Sequence, residues 1–119
     1  MTESSPEKFL PLTPAVFNIL LALANGERHG YAIMTEVAET TKGELQMGPG
    51  TLYGSIKRMI AAKLIEETAE RPAPDVDDER RRYYRLTALG RRVAAAESQR
   101  LARLVTVARG KGLMRPATA

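Results

Sequence analysis

Apolar residues recur at helical spacing in three successive stretches, gather next in two short runs, and return to helical spacing near the end of the chain. Thr13 followed by Pro14 predicts an N-cap with proline at the first helical position. Phe17, Leu20, Leu21 and Ala24 then form one apolar stripe, and Asn25-Gly26 ends that helix. A second helix is expected over 31–41, with Ile33, Met34, Val37 and Thr41 on one side and Gly43 beyond its end. Leu45 to Met47 suits a short extended piece. Pro49 opens a third helix whose Leu52, Ile56, Met59 and Ile60 face inward.

Leu64 to Thr68 and Arg82 to Leu86 read as two strands of a hairpin. In the second, Tyr84 shares a face with Leu86 and belongs to the core, while Tyr83 and Arg85 point the other way. The loop between them holds Arg71-Pro72-Ala73-Pro74 and an acidic run, and exceeds the commonest hairpin lengths. Thr87 caps a final helix from Ala88 to Arg109, with Leu89, Val93, Ala96, Leu101, Leu104 and Ala108 at helical spacing, apart from one five-residue step across Arg100. Residues 1–8 and 110–119 are expected to be disordered tails. The order is three helices, a two-stranded hairpin and a long helix. It predicts a mainly α fold with a small β-hairpin: a winged helix-turn-helix over 9–87 and a dimerisation helix over 88–109.

Composition narrows the chemistry. At 119 residues and 44% hydrophobic content the chain suits one small domain with an appended helix. It has no cysteine, so disulfides, thiolate nucleophiles and cysteine metal sites are excluded. The single histidine, His29, rules out an all-histidine metal site within one chain, and no Ser/His/Asp set is evident. Neither an enzyme nor a cofactor is expected. No apolar run reaches a membrane span, and MTESSPEK lacks the apolar stretch of a signal peptide, so a cytoplasmic location is expected. The net charge of +4 favours a polyanion as partner, and its distribution says more. Arg80, Arg81, Arg82, Arg85, Arg91 and Arg92 follow directly on Asp75, Asp77, Asp78 and Glu79.

The segment GPGTLYGSIKRM, residues 48 to 59, is rich enough in glycine to cradle a phosphate. A dinucleotide fingerprint fails, because Gly54 falls one residue too late and TTKGELQM is too polar for a buried parallel strand. The P-loop fails too, since no Gly-Lys-Ser or Gly-Lys-Thr occurs. A DNA backbone fits better. At about 100° per residue, Gly54 and Ala61 lie opposite the Leu52, Ile56 and Met59 stripe, flanked by Lys57 and Arg58. Small residues let a helix sink into the major groove, while basic residues at its edges reach phosphates or base edges. The alternative is that Gly50 and Gly54 only ease packing and the charges are simply solvated.

HGYAI (29–33), GPGTLYGSIKRMIAAKLI (48–65) and RRRYYRLTALGRR (80–92) together resemble the PadR-like transcriptional regulators, over roughly residues 10 to 109. The resemblance implies that the GTLY helix reads DNA, that the strands form a wing and that the last helix makes a homodimer. Gly48 departs from the Ser or Thr often found there, which removes side-chain capping. The short final helix matches the short subgroup. Carried onto this chain, the match puts Thr51, Tyr53 and Lys57 at the DNA; the helix-face reading adds Gly50, Gly54 and Arg58, and the basic run Arg80, Arg81 and Arg82 is expected to hold phosphates from the wing. Tyr53 lies about 80° from the core centre, so partial burial is its alternative. His29 reads as a packing or capping residue. Phe9, Leu12, Leu89, Val93, Leu101, Leu104, Val105 and Ala108 are expected at a dimer interface, and the operator is expected to be an inverted repeat in double-stranded DNA. A small aromatic effector at that interface, releasing a repressor, is implied by the resemblance alone. A winged-helix module that binds protein rather than DNA is the competing class.

Overall fold

A computed structural model describes residues 5–68 and 82–115. Four helices, α1 (Pro14–Ala22), α2 (Gly30–Thr40), α3 (Pro49–Ala61) and α4 (Ala88–Gly110), surround three short strands, β1 (Arg28–His29), β2 (Ile65–Glu67) and β3 (Tyr83–Leu86). This is the winged-helix arrangement. The helix starts follow from local chemistry. The Thr13 hydroxyl accepts from Val16 N–H at 3.2 Å, and His29 Nδ1 accepts from Ala32 N–H at 3.2 Å. Thr87 accepts from Gly90 N–H at 2.9 Å. Gly48, in contrast, offers α3 no side-chain cap. His29 therefore serves as a capping residue, and its ring also meets Tyr83 edge-on at 5.4 Å.

The sheet has three antiparallel strands in the order β1-β3-β2, not the expected two. Arg28 and His29 pair with Tyr84 and Tyr83, while Ile65, Glu66 and Glu67 pair with Leu86, Arg85 and Tyr84. The two-residue β1 lies between Gly26 and Gly30 and is too short to carry an alternation that sequence could reveal. Residues 45–47 form no strand. Met47 is nonetheless buried.

The core gathers Ile19, Leu20 and Leu23 around α1, Ile33 and Val37 from α2, Leu52, Ile56 and Met59 from α3, then Leu64, Ile65, Tyr84 and Val93. Tyr84 is buried and Arg85 exposed, as the strand alternation predicts. Two contacts fix α4 onto the end of α3. The Thr87 hydroxyl donates to the Lys63 carbonyl at 2.7 Å, and the Thr87 N–H donates to the Leu64 carbonyl at 3.1 Å. Gly90 packs so closely there that a Cβ would collide with the Leu64 carbonyl.

Local structure reaches into both segments expected as tails, at residues 5–8 and 110–115. Pro6–Phe9 form a 3₁₀ helix lying along α4. The segment behind it is tied down where Leu12 N–H meets Glu97. At the other end, Gly112 adopts φ 78°, its N–H donates to the Arg109 carbonyl at 3.0 Å, and Leu113 N–H donates to that of Ala108 at 2.9 Å. This pair of bonds closes α4 with a left-handed glycine turn.

Candidate nucleic-acid interface

Helix α3 divides cleanly into two faces. Leu52, Ser55, Ile56 and Met59 are buried, whereas Gly50, Thr51, Lys57, Arg58 and Ala61 are exposed. The glycines leave the outward surface open. A Cβ at Gly48 or Gly50 would meet nothing within 4 Å, and one at Gly54 would meet only Arg58 Nη1 at 3.6 Å. No intramolecular packing therefore demands glycine at these three positions. Arg58 curls back along its helix, donating to the Ser55 hydroxyl at 3.3 Å, so its guanidinium lies over the flat spot at Gly54.

Tyr53 does not share this outward orientation. Its hydroxyl oxygen is inaccessible to solvent, and the ring end occupies the space where a Cβ on Gly30 would sit. The side chain wedges α3 against the first turn of α2, so Tyr53 is half-buried and anchored at its hydroxyl end. The 80° offset from the core centre leaves such a residue on the border between the two faces, and the absent side chain at Gly30 decides which way it turns.

The wing approaches α3 across a cleft of about 320 Å³, lined by Tyr53, Ile56, Lys57, Ile60, Glu67, Arg82 and Tyr84. Arg82 and Glu67 form an ion pair, Nε to Oε2 at 3.6 Å. One residue back along β2 and three residues on along the other strand segment, Glu66 and Arg85 pair at 2.8 Å. Strand alternation puts this second pair on the opposite side of the sheet. The sequence places Glu66 and Glu67 on a strand but does not pair them with these arginines, because that pairing depends on the β2–β3 register. Arg80 and Arg81, expected beside Arg82, lie outside the described residues, as do Asp75, Asp77, Asp78 and Glu79.

The residues expected at a dimer interface fall into two groups. Val93 is fully buried in the core of its own chain and has no surface left for a second one; Leu89 packs partly against that core. Phe9 and Leu12 also pack partly against it. The position of Val93 within the first turns of α4, where the helix crosses the three-helix core, is the physical reason. Beyond Glu97, no residue of α4 is buried. Leu101, Val105 and Ala108 are half-exposed, and Leu104 and Val107 are 53% and 51% exposed. Among the described residues, no helix is long and apolar enough to cross a membrane, and no cluster of His, Asp and Glu is arranged to hold a metal ion.

Known proteins resemble this chain in sequence or in fold. A 37.1 kDa protein of uncharacterised role from transposon TN4556 of Streptomyces fradiae is 36% identical over 86 residues, 72% of this chain. Protein X of Lysinibacillus sphaericus, also uncharacterised, is 34% identical over 74 residues, 61% of this chain. The chain spans 22% of the first and 64% of the second, less than two thirds of either length. A PadR family transcription regulator from Clostridium difficile R20291 superposes with a TM-score of 0.68 at 26% identity, covering 82% of this chain and 97% of that one. A PadR-like regulator of Bacillus cereus gives a TM-score of 0.68 at 22% identity, over 84% and 92% of the two chains, a likeness of fold. The family model for the transcriptional regulator PadR-like family matches residues 19–96, from within α1 through α2, α3 and the sheet into α4. With that match over more than half its length, the chain belongs to the PadR-like family of transcriptional regulators.

Proposed function

We propose that this transcriptional regulator binds double-stranded DNA sequence-specifically as a homodimer, and represses until a small aromatic effector at the dimer interface releases it. The observation that carries the DNA reading is the outward face of α3. Gly50, Thr51, Lys57 and Arg58 are exposed there, and a Cβ at Gly50 or Gly54 would meet no obstacle closer than 3.6 Å. Glycines without an internal packing role leave room for another molecule's backbone, and the basic edge suits phosphates and guanine edges. Arg82 adds a cation from the wing side of the cleft.

Two copies are needed because one helix spans only a few base pairs. The exposed apolar positions of α4 beyond Glu97 supply the surface for pairing, from Leu101 through Leu104, Val105 and Ala108. A two-fold pair would present its α3 helices about 34–36 Å apart, one duplex turn, to an inverted repeat. The effector reading is supported by the family alone.

Two measurements test the proposal. Retention on a non-specific duplex should fall steeply with salt, because phosphate contacts release counterions. Selection of bound duplex from a random pool should return an inverted repeat. Retention that ignores salt, with no sequence enriched, would leave a protein-binding module as the function.

A further inference from the structure

The cleft between α3 and the wing holds a charge arrangement that DNA binding alone does not call for. Lys57 enters it from the recognition helix and Arg82 from the wing, and the carboxylate of Glu67 lies in the same cleft. Glu67 pairs with Arg82 at 3.6 Å, in a contact where both side chains are partly solvent-exposed. Such a long, solvated pair is weak and readily exchanged. Its acid nevertheless occupies ground that a phosphate approaching Lys57 and Arg82 would have to share.

Register makes this arrangement specific. Glu67 pairs across the sheet with Tyr84, whose ring is buried, so Glu67 and the diagonal Arg82 lie on the sheet face turned toward α3. Glu66 and Arg85 are direct cross-strand partners on the other face. Two adjacent glutamates therefore hold two wing arginines on opposite sides of one sheet, and only one of those pairs faces the recognition helix.

We propose that Glu67 is a resident counter-anion that competes with a DNA phosphate for Arg82 and Lys57, tempering affinity so that only a well-fitted duplex displaces it. The inference rests on the DNA-binding reading above. A duplex that docks α3 fully brings a phosphate to the cleft, and Arg82 then exchanges a carboxylate for that phosphate. A loosely held, non-specific duplex leaves the pair closed. Glu67 thus acts as a positioning residue through Arg82 and favours specific over non-specific sites.

The test is a DNA titration across salt concentrations, with the full chain, on a non-specific duplex and on a duplex selected from a random pool. Glu67→Gln should tighten non-specific binding about threefold or more at moderate salt and steepen the logarithmic salt dependence by about one phosphate contact. Glu66→Gln supplies the generic effect of removing one negative charge from the wing, and the Glu67→Gln gain must exceed it. In an Arg82→Ala background the gain should shrink, since the Arg82 contact is no longer there to be released. Melting temperatures within a degree or two of the parent show that the substitutions leave the fold intact.

Equal or weaker binding by Glu67→Gln, while the parent binds with a normal salt dependence, overturns this inference and leaves the DNA reading standing. A sequence-restricted loss in that variant would make Glu67 a base-reading acceptor instead. A gain undiminished by Arg82→Ala would show long-range charge rather than competition. A parent chain that binds no duplex at any salt concentration overturns both readings together.

Discussion

Leu12 and Glu97 are joined across 85 residues: the Leu12 N–H donates to the Glu97 carboxylate at 2.9 Å. That carboxylate is only 2% exposed and also accepts from Arg100 at 2.6 and 3.1 Å. The bond ties the segment ahead of α1 to the midpoint of α4, where the helix leaves the core. Hydrogen bonds from Arg100 hold the Glu97 carboxyl below the ordinary glutamate range; burial opposes them and the Leu12 amide reinforces them.

A carboxyl with a depressed folded-state pKa stabilises the fold fully above its unfolded value, about 4.3, and loses that contribution as pH falls through the folded one. The contribution of Glu97 should therefore be constant from neutral pH down to about 5 and be lost below it. Glu97→Gln should cost about 1–3 kcal/mol at neutral pH, since Arg100 loses its ionised partner. The variant should also show a shallower acid decline. Urea unfolding of both proteins at pH 7 and pH 4 checks this, and parallel pH profiles would show that Glu97 titrates without consequence for folding.

Gly90→Ala should be severely destabilising. Alanine favours a helix interior over glycine by about 1 kcal/mol, yet here the new methyl would collide with the Leu64 backbone carbonyl. Backbone cannot step aside as a side-chain tip can, so the net loss should reach about 2–4 kcal/mol. A thermal melt with an unchanged midpoint would mean that α4 can shift off the 63–64 turn.

Gly54→Ala should behave in the opposite way. Its methyl meets only Arg58 at an ordinary 3.6 Å, so helix propensity predicts a stabilisation of up to about 1 kcal/mol. If α3 enters a major groove closely, the same methyl weakens DNA binding while the protein becomes harder to unfold. Lys57→Ala should weaken it by about 1–3 kcal/mol where the contact is to a base edge. Unfolding and DNA titration on the same samples separate the two effects, and unimpaired binding by both variants would place DNA elsewhere.

Leu104→Glu should separate a dimer without unfolding the chain. Leu104 is 53% exposed and contributes nothing to the buried core, so a charge there meets water in the monomer and apolar surface only in a pair. Sedimentation at micromolar concentration should show the parent at twice the chain mass and the variant at one. A parent that sediments as a single chain ends the half-site argument.

The sequence made most of the helical frame legible because its signals were local. Thr13-Pro14, Gly48-Pro49 and Thr87 mark helix starts in place, and the Leu52, Ile56, Met59 stripe orients α3 without knowledge of its neighbours. What stayed hidden depends on pairs distant in the chain. The strand at Arg28–His29 exists because β3 offers it an edge. Tyr53 turns inward because Gly30 leaves a space, and Val93 is buried because α4 crosses the core before running free. Residues 6–8 read as part of a tail because neither their docking onto α4 nor the Leu12 bond to Glu97 behind them can be seen from their own composition. The same limit applied to Glu67, whose importance depends on cross-strand register.

The fastening of α4 onto the end of α3 has a mechanical side. Thr87 and Gly90 clamp the first turn of α4 to residues 63 and 64, immediately after α3 ends at Ala61. Beyond Glu97, where no residue of α4 is buried, residues 98–110 run on for about 20 Å at 1.5 Å per residue. Tilting that free rod by about 5° would swing its tip by about 2 Å. Anything gripping Leu104 or Val107 would therefore pull first on Glu97, whose bond to Leu12 stands between the free arm and the clamp at residues 63 and 64.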